Sequence, residues 1–94
     1  MEIVGRIVKL KVTHSSAYVT VRERNTNADE VFVIFDVSLV PEHEDLSAFD
    51  WILFSMQVSL AREALAGGLE VLVVTAEDTS PVISYLELHA PIGL

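Results

Sequence analysis

A double glycine, Gly67-Gly68, stands between the longest helical pattern in the chain and a run of β-branched residues, leaving no room for a loop. The stretch from Ser47 to Val74 reads S-A-F-D-W-I-L-F-S-M-Q-V-S-L-A-R-E-A-L-A-G-G-L-E-V-L-V-V. Phe54, Val58, Ala61 and Leu65 recur at i, i+4, i+7 and i+11, one face of a 3.6-residue period. Leu53, Met56, Leu60 and Ala64 flank that stripe, and Ser55, Ser59, Arg62 and Ala66 make the opposite face. Ser47 with Asp50 three residues later is a capping-box spacing, and the carboxylate also suits the positive end of the helix dipole; Asp50 as the cap itself is the alternative. A glycine in the left-handed conformation ends a helix without the penalty of a Cβ. The spacing therefore predicts one long helix that passes directly into a strand. Trp51, in the first turn, is expected in the core with its indole N–H on a backbone acceptor.

The flanking segments read as strands. From Ile3 to Thr13 the apolar parity changes near Arg6-Ile7: Ile3, Gly5 and Ile7 lie on one side, Val8, Leu10 and Val12 on the other. A glycine beside a phase switch predicts a bulge or bend that lets one strand serve two sheets. A turn at His14–Ala17 with Ser15-Ser16 as its loop would pair Thr13 with Tyr18, Lys11 with Thr20 and Lys9 with Arg22. Val12 would then face Val19, and Leu10 would face Val21, on the buried side. That register gathers Lys9, Lys11, Tyr18, Arg22 and Arg24 on one outward face, a candidate ligand face with cations for an anion and an aromatic platform for a base or sugar.

After a turn at Asn25–Asp29, the third strand, Glu30–Val37, is apolar on both parities. Val31, Val33 and Phe35 are expected inward, and Phe32 and Ile34 outward as interface candidates, since a strand apolar on both sides needs cover from another element or from a partner. Glu42, His43, Glu44 and Asp45 follow Pro41 in an acidic loop; consecutive loop residues rarely converge on one ion, and no metal site is expected. Leu69–Thr75 and Val82–His89 are the fourth and fifth strands, joined by the turn Ala76–Pro81. An apolar tail, Ala90–Leu94, closes the sequence.

Ninety-four residues correspond to one domain, 1–94, and 51% hydrophobic with 21% charged residues speaks against disorder. No apolar run reaches eighteen residues, no secretory leader follows Met1, and the chain has no cysteine, which together lead us to expect a cytoplasmic protein without membrane contact. The formal charge of −8 is unevenly placed. Residues 1–35 carry a net +1, whereas residues 36–94 hold Arg62 alone against ten carboxylates. Such a balance works against phosphate backbones.

Three strands, a helix and two strands, with a long bent first strand, resemble the OB-fold, a five-stranded Greek-key barrel with one helix between strands three and four. The run A-R-E-A-L-A-G-G-L-E-V-L-V-V with V-I-S-Y-L-E-L is weakly similar to the OB-type binding subunits of bacterial toxins, a family of ring-forming glycan binders. A mainly β fold, a β-barrel with one α-helix, is the expectation, with a small ubiquitin-like α+β roll as the alternative. Serines outside any nucleophile elbow and glycines outside any phosphate-binding loop argue against an enzyme, and no cofactor is expected. The function expected is a non-enzymatic binding or assembly module that self-associates through the third strand or meets another protein, with a glycan or other small ligand as a further partner. The alternative is a nucleic-acid-binding protein that uses Tyr18, Phe32 and the cations of strands one to three.

Overall fold

A computed structural model describes residues 1–40 and 45–89. In chain order these residues form β1 (Glu2–Val12), β2 (Ser16–Glu23), β3 (Asp29–Asp36), a 3-10 turn (Val37–Leu39), α1 (Ala48–Gly67), β4 (Glu70–Thr75) and β5 (Ile83–His89). The fold is mainly β: five strands, antiparallel to their neighbours, make one sheet in the order β3-β2-β1-β4-β5. A closed barrel is not what this sheet forms. Its edges, β3 and β5, meet at a single parallel bridge between Val33 and Val82, where the Val33 N–H donates to the Pro81 carbonyl at 2.9 Å.

The long first strand is central because it is shared. Glu2–Arg6 pair with β4, Gly5–Val12 pair with β2, and only Gly5 and Arg6 belong to both ladders. At that crossing β2 presses close: a Cβ on Gly5 would run into the Arg22 carbonyl. Gly5 is thus a close-approach glycine, and the bulge lies farther along. Ile7 pairs with Val21 and Lys9 with Thr20, leaving Val8 as the extra residue. The phase switch falls one position beyond the expected Arg6-Ile7 step. Ile3 and Ile7 join the core, while Val8 and Val12, expected inside, are exposed.

The β1–β2 register differs from expectation by two residues. Lys11 pairs with Tyr18, Lys9 with Thr20 and Leu10 with Val19, around a loop at His14-Ser15. The Thr13 hydroxyl fixes this loop: it lies 2.8 Å from the Ser16 hydroxyl and accepts the Ser15 N–H at 3.2 Å, while the Thr13 N–H reaches the Ser16 carbonyl at 2.8 Å. A two-residue slip keeps every side chain on its face, because the strand period is two.

In β3 the inward and outward sets are exchanged relative to the reading of the sequence. Phe32 is opposite Val19 and is 1% exposed, whereas Val31 is 57% exposed. Ile34, on the parity of Phe32, is also in the core, and ladder pairs Tyr18–Val33 and Ala17–Phe35 leave it as a second bulge residue. Val33, on the other side, is covered where Pro81 and Val82 cross it. Phe32 and Ile34 on one side and Val33 on the other are therefore used within the chain, while Val31 stays exposed.

Helix α1 begins with the reciprocal capping box. The Asp50 N–H donates to Ser47 Oγ at 3.1 Å, and the Ser47 N–H donates to Asp50 Oδ2 at 2.9 Å. It ends at Gly68, whose φ of 63° is left-handed, and β4 starts two residues later. Ala61 and Ala64 are fully buried against the sheet together with Gln57, and Phe54 and Val58 pack at the edge of the same core. Two alanines at the tightest points let the helix axis lie close to β1. Leu65, read as part of the inner stripe, is exposed.

Candidate interaction faces

The outer face of β1 and β2 assembles the residues that the sequence placed there. Lys11 is level with Tyr18, Lys9 with Thr20, and Arg6 with Arg22, in consecutive rows. Sequence reasoning missed Arg6 because it put the phase switch before Val8; counting Val8 as the extra residue would have found it. The cations are not equally available. Arg22 forms a two-pronged pair with Asp29, Nε to Oδ1 at 2.9 Å and Nη2 to Oδ2 at 3.2 Å, which raises the arginine pKa and lowers that of the carboxylate. Arg24 lies past the end of β2 and donates to Glu70 Oε1 at 3.1 Å. Lys9, Lys11 and Arg6 make no ion pair among the described residues.

Tyr18 is half-buried, and its hydroxyl donates to Asp36. That bond raises the Tyr18 pKa and lowers the Asp36 pKa, which the Ser38 N–H and hydroxyl lower further. The phenol is tied to the 3-10 turn, so its ring is held in one orientation on the face. A single-strand-binding surface needs several aromatic platforms among its cations. Phe32, the second platform of that reading, is in the core.

The interface candidates Phe32 and Ile34 are 1% and 0% exposed. As placed, neither reaches a partner. Among the described residues, a run of exposed apolar side chains lies on α1 instead. Phe49, Leu53, Met56 and Leu60 follow the same i, i+4, i+7, i+11 spacing as the inner stripe, five residues earlier. Phe49 is 73% and Met56 59% exposed, Ile52 and Leu53 are exposed beside them, and Leu60 is half-buried. A helix with an apolar stripe ordinarily buries that stripe, and α1 carries two. Here only one side meets the sheet. The signal for the second stripe was present in the sequence, as the residues flanking the first.

At the start of α1, Trp51, Phe35 and Phe54 form an aromatic cluster. Phe35 stacks on Phe54 at 5.3 Å and meets Trp51 edge-on at 5.5 Å, and Trp51 is edge-on to Phe54 at 6.0 Å. Trp51 is not fully core as expected: it is 41% exposed, and among the described residues its indole N–H makes no hydrogen bond. Within the inner face of the helix, Gln57 Oε1 is buried without a hydrogen-bond partner among the described residues.

The acidic loop positions Glu42, His43 and Glu44 and the apolar tail Ala90–Leu94 lie outside the described residues. Among the described residues no group of three or more His, Cys, Asp or Glu could hold a metal ion. No described helix is long and apolar enough to cross a membrane. No known protein family matches the chain, and a search of curated proteins finds no relative.

Proposed function

We propose that this chain is a non-enzymatic assembly module that self-associates through the outer face of α1. The observation that carries this reading is the second apolar stripe, Phe49, Leu53, Met56 and Leu60, left uncovered by a sheet that buries only Ala61, Ala64 and Gln57 fully. The exposed parts of Phe49, Ile52, Leu53 and Met56 amount to roughly 400 Å² of contiguous apolar surface, within the range at which a patch on a monomer is often functional. Two copies of α1 packed antiparallel about a two-fold axis would set Phe49 against the partner's Leu60 and Leu53 against the partner's Met56, so the stripe is complementary to itself. Such a contact covers part of what one partner gives to a standard interface, about 800 Å², and its flanks would supply the rest.

The displaced pKa values support a binding protein over an enzyme. Those of Tyr18, Asp36, Arg22, Asp29 and Glu23 are each explained by a partner in a half-buried or exposed bond or turn, and none needs a fully buried catalytic pair. An OB-type architecture belongs to the same proposal. Its support is the shared, bulged β1 and the bridge from Val33 to Val82, where a parallel β3–β5 pairing would complete a barrel.

Light scattering on a sizing column tests the reading directly. A discrete species at a multiple of 10.4 kDa, reduced to the single-chain mass by Met56→Asp with the circular dichroism unchanged, is the expected result. A wild type at 10.4 kDa across the micromolar range would end the self-association reading.

A further inference from the structure

Helix α1 presents another surface on the flank that faces the end of β1. There Val12, Phe35, Trp51, Phe54 and Val58 wall a cleft of about 280 Å³, with Ser55, Ser59 and Arg62 along one side. Three features make this cleft more than a packing gap. The aromatic cluster lines it, and the partly open Trp51 ring has an indole N–H with no hydrogen bond among the described residues. Arg62 is the sole Lys or Arg between residues 36 and 94, yet it forms no ion pair among the described residues. Positions three and four away on either side, Val58, Ser59, Leu65 and Ala66, offer it no carboxylate.

We propose that this cleft binds a small apolar monocarboxylate, of about one ring, with its body against Trp51, Phe35 and Val12 and its carboxylate on the Arg62 guanidinium. The volume lies just below the ~300–1,000 Å³ of pockets for drug-sized molecules, which limits the guest to a small one. A single guanidinium presents the planar fork that matches a carboxylate. One cation in a chain of net charge −8 selects a monoanion, since a dianion would meet the surrounding negative field with half its charge unpaired. Ser55 and Ser59 add hydroxyl donors beside the fork. The stripe of Phe49 and Leu53 does not line the cleft, so this inference stands apart from self-association.

Trp51 is the only tryptophan, so its indole N–H gives a single resonance in a nitrogen–proton correlation spectrum. Benzoate, and benzamide as its neutral isostere, would be titrated into wild type and Arg62→Gln. The expected result is a saturable shift of the Trp51 resonance by benzoate, at least tenfold tighter than benzamide. In Arg62→Gln, benzoate should fall to the benzamide level, benzamide should be unchanged, and the rest of the spectrum should overlay on wild type. An unmoved Trp51 resonance would overturn the proposal, as would undiminished benzoate binding by Arg62→Gln. Displacement of benzoate by equimolar inorganic phosphate would overturn it too, since the site would then be a bare cation without a pocket for the apolar body.

Discussion

Strand β3 and helix α1 pose the same problem and solve it differently. Both are apolar on two sides. In β3 most of the second side is taken up within the molecule, because a bulge follows at Ile34 and Pro81-Val82 crosses Val33, leaving Val31 exposed. In α1 nothing among the described residues comes to the second side, and Phe49, Ile52 and Met56 stay exposed. A strand can hide two apolar faces with one extra residue, since a bulge reverses its parity. A helix has no comparable device, because an inserted residue rotates the stripe by about 100° and cannot fold it away. A helix with two apolar stripes at the surface is therefore a stronger sign of a partner than a two-sided apolar strand.

The sharpest way to break this comparison is to place a charge on each element. Phe32→Asp should cost about 4 kcal/mol or more, enough to unfold much of the protein, because an unpaired carboxylate would replace a fully buried ring. Met56→Asp should change stability by no more than about 0.5 kcal/mol and alter only the solution mass. Urea unfolding of both variants checks the contrast, and a folded Phe32→Asp would mean that β3 is not covered as described. Next in size is Ile34→Ala, expected to cost about 3 kcal/mol by removing a core side chain at the bulge. A loss under about 1 kcal/mol would show that the bulge residue contributes little to the core.

Gln57 sharpens the account of the inner face of the helix. Its Oε1 is buried and unpartnered, so Gln57→Leu should raise stability by about 1 kcal/mol, read as a higher urea midpoint at unchanged slope. The smallest effect is pH-dependent and concerns Tyr18 and Asp36. The Asp36 pKa is lowered on folding, so its contribution is present above the unfolded value of 3.8 and is lost as pH falls through the lower folded value. The Tyr18 pKa is raised, so its contribution is complete below 10.0 and is lost as pH rises through the higher folded value. Tyr18→Phe should flatten the alkaline limb outright and weaken the acid limb, leaving the part that Ser38 gives to Asp36. Thermal melts from pH 2 to 12 would show both limbs.

Much of the fold was legible because its signals are local. Ser47, Asp50 and Gly68 marked the helix ends by chemistry that acts within one turn. The strands were visible as runs of β-branched residues, and the outer row of Lys9, Lys11, Tyr18 and Arg22 survived a wrong register because the error was even. Part of what failed depended on a single extra residue. The bulges at Val8 and Ile34 each reverse a parity, and nothing at those positions distinguishes them from ordinary strand residues. Phe32 and Ile34 share one parity and were misplaced together, because a strand apolar on both parities does not say which of them faces in. The openness of the sheet was equally hidden, since pairing between β3 and β5 depends on where two distant segments come to lie.

The crossing at Gly5 also has a kinetic meaning. Pairing of β1 with β2 and of β2 with β3 joins neighbours in the chain, so this meander closes short loops and can form early. Pairing of Glu2 with Val74 spans most of the sequence and must wait until α1 has brought β4 back. Gly5 and Arg6, members of both ladders, sit where the fast local process meets the slow long-range one. Until that second ladder zips, the inner side of the meander, with Val19, Val21 and Phe32, faces water, and the speed of helix docking sets how long the young chain stays prone to aggregate.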